Sequence, residues 1–182
     1  MITQKVIQNK LPFIILVTSI VGLHIFWEYH YNNGVTTHHL LAREDLPGIS
    51  NWWGLLSIPL LSWILISLSK WLHNKNSITY SLSKIAKGFI GGLVFGILIA
   101  LLWELRLENI LQYAIWTPII LAFFIPIYLP GNLLGFILGL TYTFGGILPI
   151  GIGLVLIIIS FMIWTIFRKW IPIILQKINQ KN

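Results

Sequence analysis

What most limits this chain is the length and spacing of its apolar runs. From Leu11 to Phe167, stretches of about 20 residues with almost no charge follow one another, separated by short polar connections. About 20 apolar residues is what one helical crossing of a bilayer's hydrocarbon core requires. Composition agrees, because 57% of the side chains are hydrophobic and 9% are charged, against roughly 25% charged in soluble domains. The expected fold class is therefore an all-α, polytopic integral membrane helix bundle, a single membrane-embedded domain over residues 1–182. About six spans would leave only termini and short loops, so a functional site must lie inside the bundle or at its rim.

The spans are read at about 11–31, 52–72, 85–105, 110–129, 132–146 and 148–167, with an outer loop over 32–51. Pro130-Gly131 opens the last long apolar stretch, and Gly145-Gly146 with Pro149 divides it. Lys5 and Lys10 precede the first span, Lys70, Lys75, Lys84 and Lys87 surround the second connection, and Arg168, Lys169, Lys177 and Lys181 follow the last span. The positive-inside rule puts all three regions in the cytoplasm. Both termini on one side require an even number of spans. Six satisfies this; a re-entrant loop over 132–145 leaves five and ranks second. Lys5 and Lys10 before an apolar run imitate a signal peptide, but no small-residue cleavage site follows, so the run is read as a retained first span. The expected location is the plasma (inner) membrane, multi-pass, with the lipid bilayer as first partner. In this setting the net charge of +7 marks cytoplasmic loops, and no nucleic-acid partner is expected. With no Cys, thiolate chemistry and disulfides are excluded.

The acidic residues are Glu28, Glu44, Asp45, Glu104 and Glu108, and this topology puts all of them on the outer side, together with His24, His30, His38 and His39. His24 and Glu28 stand four apart, on one face of a helix, a spacing that can give two ligands to one metal. His24 lies about a turn deeper, and an ionisable group at depth turns to the bundle interior or a cavity. His30 falls on another face. Thr37-His38-His39 is expected to open a short helix, capped by Thr36 or Thr37 and ended by Pro47-Gly48, with Leu40, Leu41 and Leu46 toward lipid. Ser50 is the expected cap of span two. Glu104 and Glu108 would share a face at the end of span three. Gly88, Gly92 and Gly96, and Gly131, Gly135 and Gly139, form two four-residue ladders of glycine-zipper type. These are contact faces for each other, for a membrane-protein partner or for a second copy of the chain.

The leading functional expectation is a metal site of a membrane-embedded enzyme acting on a lipid-like or small substrate. His24, Glu28 and His38 or His39 would be ligands for a divalent transition metal, zinc or iron, with Glu104 or Asp45 as general base. In that arrangement His24, Glu28 and Glu104 share one outer cavity with a loop histidine folded over it. The alternatives are a permease or cation transporter using the same cluster as an outer vestibule, and a structural subunit of a membrane complex.

Overall fold

The computed structural model describes residues 2–31, 34–39, 43, 45 and 47–171. Leu40, Leu41, Glu44, Leu46, Lys177 and Lys181 lie outside them. Among the described residues the secondary structure is helical apart from one small strand pair. A short helix α1 (Ile2–Gln8) precedes α2 (Leu11–Tyr31). Strands β1 (Thr37–His39) and β2 (Gly48–Ser50) follow, then a 3-10 turn at Asn51–Trp53 and α3 (Gly54–Lys75). After α4 (Leu82–Glu104) come α5 (Glu108–Ala114), α6 (Thr117–Leu121), α7 (Pro130–Phe144) and α8 (Leu148–Thr165). Among the described residues four helices are long and apolar enough to cross a membrane: α2, α3 with its 3-10 lead-in, α4 and α8. Their outward faces carry large apolar side chains, such as Leu23 at 68% exposure and Ile158 at 59%. A surface of this kind is built for lipid rather than water.

The centre of the molecule is α7. Ten of its fifteen residues are buried, and at about 22 Å it falls short of the bilayer's apolar thickness of about 30 Å. Its neighbours α2, α3, α4 and α8 surround it. Against α4 it runs parallel, with glycine facing glycine. A Cβ on Gly92 would collide with the Asn132 carbonyl, and one on Gly135 with the Phe89 carbonyl. A Cβ on Gly96 would lie 2.5 Å from the Phe136 oxygen and 3.1 Å from the Gly139 Cα. Both ladders are thus occupied within the chain, Gly88 by the Asn132 side chain and the other rungs backbone on backbone, which only residues without a side chain allow.

The fourth apolar segment is not a single helix. Pro118 lacks a donor and sits at the start of α6, and non-helical chain around Pro126 ends the passage. Pro130 and Pro149 occupy the first turns of α7 and α8, where a missing N–H costs nothing. The N-terminal segment adds α1, whose Ile7 is buried. Lys10 at the α1–α2 corner reaches Ser67 Oγ at 2.5 Å and lies over the Trp63 ring at 3.8 Å. Successive passages run back and forth between two ends. One carries the strand pair, the start of α3 and the α7–α8 turn. The other carries Lys84 and Lys87 on the first turns of α4, with Arg168 hydrogen-bonded to the Phe124 carbonyl at 3.5 Å.

Candidate functional site at the hairpin end

Where a helix is expected to open at Thr37, the described residues form an antiparallel hairpin pair instead, joining Thr37 to Ser50, His38 to Ile49 and His39 to Gly48. Thr37 and Ile49 are β-branched and suit an extended chain. Gly48 makes the pairing feasible, since a Cβ there would stand 2.6 Å from Thr37 Cγ2 and 3.1 Å from His39 Cε1. The ladder continues where the Asn51 N–H donates to the Thr36 carbonyl at 3.0 Å. Ser50 caps the following turn, accepting from the Trp52 N–H at 3.4 Å. Alternation along the strand turns Thr37 and His39 to one face, beside Gly48, and His38 to the other.

Beneath the hairpin lies Glu28, 4% exposed near the end of α2. Its Oε1 accepts the Asn51 side-chain amide at 2.7 Å and its Oε2 the Thr36 backbone N–H at 3.3 Å. Both donors belong to the chain that enters and leaves the hairpin, so one buried carboxylate ties the hairpin to the bundle. His24 Nε2 stands 3.4 Å from the same Oε1. That is close enough for attraction, yet the nitrogen is buried with no aligned hydrogen-bond partner. The His24 ring leans on Tyr142, with centroids 4.7 Å apart. His38 Nε2 is likewise buried and unpartnered. Burial holds the His38 pKa below its ordinary 6.5; the Glu28 carboxylate pulls it up and His24 pushes it down.

Gly145 makes room for this arrangement. Its φ is +71°, and the place a Cβ would take is filled by Asn51 Oδ1, with His38 Cδ2 3.1 Å away. A side chain would be strained by the backbone and would expel the amide that holds Glu28. The α7–α8 turn therefore closes the site from behind.

Of the residues singled out in the sequence, His24, Glu28 and His38 come together. His39 is on the other face of its strand. Asp45 is exposed and forms a two-pronged pair with Arg43, at 3.0 and 2.6 Å, which holds its carboxyl below the usual range. Glu104 is exposed at the end of α4, with no hydrogen bond or ion pair among the described residues. The chain turns immediately after it, with Arg106 at φ 53°, so Glu108 begins a separate helix and the two carboxylates share no helical face. His30 is exposed and stacks on Phe26 at 4.8 Å. Asn51, Tyr142 and Gly145 are the site residues that sequence reasoning missed. Asn51 did carry a signal, a polar amide opening an apolar span, where an unmatched group is costly.

As a metal centre the cluster has suitable donors but not the convergence. Among the described residues no three His, Asp or Glu side chains form a group that could hold a metal ion, and both Glu28 oxygens already serve the hairpin. What the geometry can do is hold a loop through a buried carboxylate flanked by two titratable rings. No protein family matches the chain, and no curated protein or solved structure is similar to it.

Proposed function

We propose that this is a small multi-pass protein of the plasma (inner) membrane, with both termini cytoplasmic, six crossings and the hairpin end facing outward. In this reading the His24–Glu28–His38 cluster is a cation-responsive latch over the outer mouth, the vestibule of a permease-like protein. The observation that carries it is the pair of buried, unpartnered imidazole nitrogens beside the carboxylate that fastens the hairpin. The orientation rests on the lysines, which gather at the opposite end from Glu28.

The proton is the first cation to consider. With its pKa lowered by burial, His38 sits neutral under the docked hairpin at neutral pH. The unfolded or undocked form takes up protons at a higher pH than the docked form does. The docked state is therefore favoured fully above pH 6.5, and that advantage is lost as pH falls toward the docked-state pKa. A protonated His38 would compete with Asn51 for Glu28.

A divalent transition metal, zinc or iron, is the second reading, favoured by the same two free nitrogens. It could take a Glu28 oxygen only by displacing the Asn51 amide, so metal binding would loosen the hairpin. Asp45, His39 and Glu104 lie outside the contacts of Glu28 and receive no role. Thermal melting of the reconstituted protein from pH 8 to pH 5 separates these readings. The latch predicts a falling melting temperature below about pH 6.5, with the fall much reduced in His38→Gln. A pH-independent melt, with zinc raising the melting temperature at neutral pH, would replace the proton by the metal.

A further inference from the structure

At the opposite end a crevice of about 620 Å³ opens between α4, the α6–α7 connection, α7 and α8. It is within the size range of small-molecule sites, about 300–1,000 Å³. If each methylene-sized group takes about the volume of a liquid water, roughly 30 Å³, it holds on the order of twenty such groups, the size of one acyl chain. Its walls are almost wholly apolar, with Phe95, Leu133, Phe136 and Leu156 deep inside. Glycine widens it: a Cβ on Gly91 would meet nothing within 4 Å.

The polar groups of the crevice are not scattered. Lys84 and Lys87 stand among its lining residues, and both are exposed. Among the described residues the Lys84 ammonium hydrogen-bonds to the carbonyls of Ile78 and Thr79, at 3.4 and 3.1 Å. Among the described residues no carboxylate pairs with either lysine. Ser160 lines the wall further in, 1% exposed, and its Oγ has no hydrogen-bond partner. Beside it the Tyr128 ring packs on Phe161 at 5.4 Å, against the α8 face of the crevice. A buried hydroxyl without a partner is destabilising, and a ligand acceptor at this depth would satisfy it. From Lys84 to Phe95 the α4 wall runs about 16 Å. Between the cationic groups at its mouth and the hydrocarbon of its depth, the crevice offers one buried hydroxyl without a hydrogen-bond partner.

We propose that this crevice is a binding site for an anionic phospholipid. The lysines take the phosphate, the Ser160 hydroxyl donates to an ester carbonyl oxygen, and one acyl chain fills the apolar interior. The sequence of chemistries along the wall matches that of the lipid from headgroup to tail. Basic pockets between membrane helices recognise anionic headgroups by the same electrostatics.

The test uses the full chain, delipidated in detergent, and native mass spectrometry with phosphatidylglycerol and phosphatidylcholine carrying the same acyl chains. Wild type should retain phosphatidylglycerol in preference, by on the order of tenfold for two lysines. Lys84→Gln with Lys87→Gln should abolish the preference while leaving weak binding of both lipids. Gly91→Leu, which fills open space, should lose both lipids without a change in melting. Lys70→Gln with Lys75→Gln, at the same end but outside the crevice, should leave the preference intact. Equal retention of the two lipids by wild type would overturn the proposal. So would an equal loss of preference in the Lys70 and Lys75 variant, which would reduce the effect to surface charge. Competition by soluble glycerol phosphate as strong as that by the lipid would leave an anion site without an acyl chain, and would overturn it too.

Discussion

The two ends of the bundle treat their polar groups in opposite ways. At the hairpin end Glu28 is buried, and donors from Thr36 and Asn51 meet its oxygens from within the chain. At the other end Lys84 and Lys87 are exposed beside an apolar crevice, and among the described residues no carboxylate comes to them. One end is closed upon itself, and the other is the end at which we propose a lipid. The contrast has a physical basis. A carboxylate can be satisfied by backbone and amide donors that a short hairpin supplies, whereas an ammonium on a long flexible stem finds water or an anionic headgroup at little cost. In the proposed latch a change of protonation at His38 acts on the hairpin because His38 lies near enough to feel the charge of Glu28, the group that fastens the loop.

The largest expected effect lies on α7, which joins the two ends. Gly135→Leu places a branched side chain where the Phe89 carbonyl lies against the helix. It should cost about 3 kcal/mol or more, seen as loss of cooperative melting in detergent and loss of monodisperse protein. Unchanged melting would mean that α4 and α7 do not pack through these glycines. Next comes Glu28→Ala, which strands the buried Asn51 amide and the Thr36 N–H. A loss of about 2–3 kcal/mol is expected for charge-assisted bonds of this kind, with faster amide exchange confined to residues 35–51. Lipid retention at the lysine end should not change, and if it does the ends are not independent. The smallest effect is at Asp45. Asp45→Asn breaks an exposed pair with Arg43, and neither the melt nor its pH dependence should move measurably. A clear pH effect there would bring Asp45 into the latch.

The parts of the fold visible in the sequence are those a bilayer dictates. Runs of about 20 apolar residues stand out, and they fall on α2, α3, α4 and α8. The breaks at Pro118 and Pro126 are equally local, but a run of apolar residues hides them, since lipid-facing hydrocarbon looks the same in a whole helix and a broken one. The four-residue spacing of the glycines is plain in the sequence; what occupies the space they leave is a tertiary fact. In the site, His24 and Glu28 are linked by helical phase and so are readable. The hairpin is not. Its strands are three residues long, below the length at which alternation is distinguishable from a helical turn. Its docking depends on Asn51 and Gly145, 94 positions apart in number but in contact in the fold. Topology misled as well: it assigns Asp45 and Glu104 to the same side as Glu28, but the side of a bundle says nothing about direction around its axis.

The absence of cysteine in the natural sequence makes site-directed spin labelling clean, and this tests the latch most directly. Labels at Arg43→Cys, on the hairpin loop, and Glu108→Cys, at the start of α5, report hairpin position by electron–electron distance in nanodiscs. A narrow distribution is predicted at pH 8, a broader and longer one at pH 5, with the pH 5 change lost in the His38→Gln background. Identical distributions at both pH values in the otherwise unaltered protein would contradict the account, leaving Glu28 a fixed structural anchor with no titratable role.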